Sequence, residues 1–205
     1  LIFMRNSSAP FPALPTPNGY DDFLAAENLL NGQTNYAPEM PVEPLRAFLA
    51  TNQEALRLLQ LGLTRRCSVH TAEVITNSAN MSNDLMAMKR VAQLGLAAGL
   101  LAELEGRTND AVATYVAGLR FGNEVSRGGF VIHRLVGVAC ETMAQGRLTI
   151  LATNLNPTEA KEIIRALEKL ELEAVSWAEI YDNERRFIRE SFVQSKNPLM
   201  LVHSW

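Results

Sequence analysis

Between Leu85 and Phe121 two helical patterns are joined by a link so short that the chain must double back on itself. Ser82, Asn83 and Asp84 offer side chains that cap a helix, and the apolar pattern behind them runs to Glu105. Gly106 can take the left-handed conformation that closes a helix. After Arg107 and Thr108, Asn109 is the expected cap of a second helix from Asp110 to about Phe121. Ala111, Val112, Tyr115, Val116 and Leu119 then share its buried face. A connection of this length makes the two helices antiparallel neighbours. Their contact is set by bulk: Ala97, Ala98, Gly99 and Ala102 strip side-chain volume from the first helix, and Tyr115 fills the gap. Leucine at Gly99 should overpack this crossing, whereas alanine, which favours the helix, is mild if space permits.

The rest of the chain repeats the three- and four-residue spacing, and no stretch alternates as a strand does, so the expected fold class is all-α. Residues 1–19 carry Pro10, Pro12, Pro15 and Pro17 and read as a proline-rich leader, lying extended or free, ahead of a helical domain over 20–205. A short helix is expected from Asp21 or Asp22 to Leu30, stopping by Gly32. Pro44 fits the first position of a long helix carrying Leu45, Phe48, Leu49, Leu56 and Leu59, a stripe interrupted once, by Asn52. Residues 63–80 are rich in Ser, Thr and Asn, with a short helix around Ala72 to Thr76. A third segment follows Gly128-Gly129 with Val131, Ile132, Leu135, Val136, Ala139 and Met143, and fades after Gly146. Asn156, Pro157 and Glu159 form a capping-box pattern, and Ser176 with Glu179 a second. Trp177, Tyr181 and Phe187 in the last helix read as core.

Hydrophobic residues make up 47% and charged residues 20%, a globular balance, and the net charge is −3. Without a basic stripe, that charge argues against a nucleic-acid partner. Leu1-Ile2-Phe3-Met4 is far short of the roughly 20 residues that cross a bilayer. It reads as the end of a hydrophobic anchor, so the described chain is expected to be soluble, with any membrane attachment upstream. Cys67 and Cys140 fit either two unpaired thiols, the plainer reading, or a single disulfide.

The stretch from Gly95 to Gly122 resembles a tetratricopeptide repeat. Gly99 stands at the small position of the first helix and Gly106 at the turn. Ala111, Tyr115 and Gly118 stand at the small, aromatic and small positions of the second. Gly95 departs from the pattern, where a large residue is usual, and so does Asn123, where proline is common. The expected helix starts at Leu45, Leu85, Phe130 and Trp177 do not keep the repeat's period of about 34 residues, so an irregular array of antiparallel hairpins fits better than a regular one. Two further blocks, Leu14 to Phe23 and Arg127 to Ala139, resemble a bacterial family of single-pass, membrane-anchored proteins with a tetratricopeptide-like domain after a proline-rich segment. That resemblance implies fold and an extracytoplasmic, tethered location, and no activity.

Candidate chemistry is sparse. Cys67 with His70, and His133 with Cys140, could make a tetrahedral zinc site if loop and helix met, but neither pair has the spacing of the common zinc modules. With His203 these are the only histidines, and no nucleophile elbow, catalytic-cysteine context or di-iron motif accompanies them. No catalytic residue, cofactor or metal is therefore expected. Gly128-Gly129 with Arg127 could offer donors to an anion, though an inter-helix turn is the plainer reading. Tyr20, Asp21, Asp22 and Phe23 could dock a partner, or cap the first hairpin. The expectation is a non-enzymatic domain that binds a protein or peptide, its site residues Tyr20, Asp21, Phe23 and Arg127. The alternatives are an enzyme or small-molecule binder whose site is assembled in space, and a self-associating module that forms a homo-oligomer.

Overall fold

The computed structural model describes residues 11–32, 41–72, 78–153 and 155–194. They form α1 (Gly19–Asn28), α2 (Val42–Thr51), α3 (Gln53–Thr64), α4 (Ser78–Leu104), α5 (Thr108–Glu124), α6 (Val131–Ala152), α7 (Pro157–Leu172) and α8 (Trp177–Gln194). No strand occurs among the described residues, and the fold is all-α.

The helix α4 lies at the centre, in contact with α1, α2, α3, α5 and α6. Within it Met81–Leu104 is long and apolar enough, by length and composition, to cross a membrane. Here its apolar residues are spent on protein neighbours. Val91, Leu94 and Leu100 join Tyr20, Phe23, Leu45, Leu59 and Phe121 in one core cluster. Leu96 and Ala102 join Tyr115, Ala144 and Leu148 in a second.

Helices approach where side chains are smallest. A Cβ on Gly62 of α3 would stand 2.8 Å from the Gly19 carbonyl of α1, and one on Gly122 of α5 would stand 2.5 Å from the Gly137 carbonyl of α6. In the α4–α5 hairpin a Cβ on Gly99 would lie 2.5 Å from a Tyr115 ring carbon. Tyr115 is fully buried and donates from its hydroxyl to Glu103 at 2.9 Å, so its ring has little freedom to yield. The space that a mild effect of alanine at Gly99 requires is therefore absent: even a methyl group collides. Gly106, at φ +73, closes α4, with the Arg107 N–H donating back to the Ala102 carbonyl.

Several boundaries differ from those the sequence suggests. Helix α4 begins at Ser78 and runs through Ser82 to Asp84, which therefore are not its cap. Arg107, not Asn109, precedes α5 and provides no side-chain cap. Pro44 is the third residue of α2, and Asn52 divides the expected long helix in two. Asn52 is buried, its amide donating to the Asn31 and Phe48 carbonyls while its oxygen accepts from the Asn31 N–H. The polar break in the apolar stripe is thus a clamp on the segment after α1. Helix α6 runs to Ala152, past the point where its pattern fades. The Asn156–Glu159 capping box of α7 forms as expected. The short helix around Ala72 to Thr76 lies largely outside the described residues.

Leader residues 11–18 lie against the helices. Phe11 meets Phe130 edge-on at 6.4 Å beneath the Arg186 guanidinium, and Asn18 caps α1 while its amide donates to the Ser68 carbonyl.

Candidate functional site

The residues singled out as a docking cluster separate in the fold. Tyr20 and Phe23 are fully buried and offer no surface, because α1 turns its aromatic face onto α3 and α4 as a cap on the core. Asp21 remains outside, its carboxylate 2.7 Å from His70 Nε2. Asp22 turns inward to accept from Arg65 Nη1 at 2.8 Å. The aromatic residues of α8 are the converse case: Trp177 and Tyr181 are about half exposed and contact each other, and only Phe187 packs inward, 4.7 Å from Phe130.

The glycine turn before α6 does gather acidic groups, but they come from the chain itself. The Gly128 N–H donates to Glu179 at 3.2 Å and the Val131 N–H to Glu184 at 3.0 Å, both on α8. These carboxylates sit on the positive end of α6. Glu179 is thereby drawn away from the capping box expected of it, although the Ser176 hydroxyl still accepts from its N–H.

No group of three or more potential metal ligands converges among the described residues. Cys67 and Cys140 are buried and free, and burial pushes each thiol up to about 12, so neither is a thiolate at neutral pH. Burial lowers His133 to about 4, leaving the ring neutral. Its Nδ1 accepts from the Phe130 N–H at 3.2 Å, and Nε2 is buried without a partner.

Several concavities remain, among them one of about 350 Å³ between α5 and α7, lined by Val112, Val116, Leu155 and Ile163, and two that gather distant segments. The first is a groove of about 260 Å³, floored by Ala92, Gly95 and Ala98 of α4. One wall is Leu56, Leu59 and Leu63 of α3, the other Ala113, Ala117 and Phe121 of α5. Gln60 and Thr114 supply polar groups along it. Gly95, the departure from the repeat pattern, explains the opening: a Cβ there would stand 3.2 Å from Leu59, and a large side chain would fill the groove. The second is a cavity of about 840 Å³ where Arg65 and Arg66, behind α3, meet Arg120 and Arg127 beside the α7–α8 link. Arg127, half-buried, forks onto Glu124 and donates to the Glu173 carbonyl. Of these places sequence reading reached only Arg127, since each is assembled from segments far apart in the chain. Comparison with known proteins finds no matching family model, curated protein or solved structure.

Proposed function

We propose that this chain is a non-enzymatic interaction domain, tetratricopeptide-like in its central hairpin, that holds a peptide segment of a protein partner in the groove between α3 and α5. The groove itself carries the reading: an apolar trough floored by small residues, with Gln60 and Thr114 placed to hydrogen-bond a bound backbone. Such a trough suits aliphatic side chains of a bound segment better than a charged ligand. The Gly99–Tyr115 crossing and the Gly106 turn support the repeat reading, since each does the job its position in the motif implies. Location outside the cytoplasm, tethered through an upstream segment, belongs to the same proposal and rests on the sequence resemblance.

Ala113 is exposed and lines both the groove and the concavity between α5 and α7, so Ala113→Trp obstructs this face of α5 without entering the core. Capture on the immobilised domain followed by native mass spectrometry should give a partner at fixed stoichiometry from wild type, at least tenfold depleted on the variant. Equal capture by both would place the contact elsewhere. A second reading, self-association, is favoured by the exposed Leu172, Trp177 and Tyr181 near the α7–α8 link. Concentration-dependent mass in light scattering, abolished by Trp177→Glu, is its expected signature, and a monomer at every concentration would contradict it.

A further inference from the structure

The arginine cavity shares no lining residue with the groove and calls for a separate explanation. Four arginines line it with two glutamates, Glu124 and Glu173, in a chain whose net charge is −3. Two of the arginines are anchored. Arg65 Nη1 reaches both oxygens of Asp22 at 2.8 Å, and Arg127 makes two bonds of 2.9 Å to Glu124. The other two are uncommitted. Arg66 is exposed and has no carboxylate partner among the described residues, and the Nε of Arg120 is buried with no hydrogen-bond partner. A cavity that gathers four arginines, two of them without an ion-pair partner among the described residues, is short of negative charge.

We propose that this cavity is an anion site, taking a small organic anion through its phosphate or carboxylate groups. The planar guanidinium fork matches both, and an anion would complement the two arginines that Asp22 and Glu124 leave without an ion pair. The volume falls in the range of about 300–1,000 Å³ usual for small-ligand sites. The Cys67 thiol at the wall stays protonated, so the site binds without an adjacent nucleophile.

Calorimetric titration of the whole chain at low ionic strength, with pyrophosphate and with citrate, tests the assignment. Saturable binding of at least one is expected, weakening as salt is added. Pyrophosphate alone assigns a phosphate ligand, and citrate alone a carboxylate. Arg120→Gln and Arg66→Gln should each weaken binding at least tenfold, and the exposed Arg66 is the variant whose folding is not at stake. Ala113→Trp, in the groove, should leave it unchanged, so the two sites stand or fall separately. No saturable binding of either anion to wild type, or binding indifferent to both arginine variants, would overturn the proposal.

Discussion

The Tyr20 hydroxyl is buried with no hydrogen-bond partner among the described residues, and burial raises its ionisation well above the usual range, with Asp84 acting in the same direction. Removing a polar atom that forms no bond should relieve its desolvation. Tyr20→Phe is therefore expected to be neutral or to stabilise by up to about 1 kcal/mol in urea unfolding, and a loss of that size would reveal a bond the hydroxyl makes. At Gly99 the sign is opposite. Alanine there meets the Tyr115 ring at 2.5 Å and should destabilise by about 1–3 kcal/mol. In a Tyr115→Leu background the same change should cost measurably less, because the obstructing ring is gone. Additive costs in that cycle would mean that the two residues do not share the crossing. The sequence showed that Gly99 and Tyr115 are complementary in size. It could not show how closely, because the distance depends on how Glu103 and Arg147 hold the tyrosine: Glu103 accepts from its hydroxyl and from Arg147.

Among the elements, α6 has the most exacting start. His133 accepts the Phe130 N–H, Glu184 the Val131 N–H, and Asn183 donates to the Gly129 carbonyl at 3.2 Å. Because burial holds His133 near 4 against an ordinary 6.5, the unfolded chain takes up a proton before the folded one does. The stability this ring confers is complete above pH 6.5 and is lost as the pH falls from there towards 4, a change of about 2–3 kcal/mol. His133→Asn keeps an acceptor and cannot titrate, so it should flatten that part of the profile of melting temperature against pH. An unchanged slope would assign the acid sensitivity to other groups. Helix existence was legible for α1 and for α4 to α8, where apolar spacing is a local signal, while α2 and α3 read as one helix. Boundaries were legible where the cap is local, as at Asn156, and misplaced where another element takes part. Asn52 looked like a flaw in a stripe because its partner Asn31 belongs to a different segment, and Glu179 looked like a local cap because Gly128 was out of view.

At the scale of the molecule, α4 brings the distant segments together. By packing against helices on both sides it forms the groove floor and leaves α3 and α5 as walls. The ends of the same helices, with the α7–α8 link, gather the arginines. Nothing along the chain says that Arg120 and Arg127 return to Arg65 and Arg66. The groove was equally hidden, although Gly95, a glycine where bulk is usual, was its one visible trace. The claim that most of this account depends on is that a partner segment occupies the groove. A photo-activated cross-linking amino acid at Gln60, on the groove edge, tests it most directly, with the same group at Thr149, exposed on α6, as the reference position. The account predicts one discrete heteromeric adduct from Gln60, absent from Thr149 and suppressed by Ala113→Trp. Adducts of equal yield from both positions, or a Gln60 adduct untouched by that substitution, would contradict it.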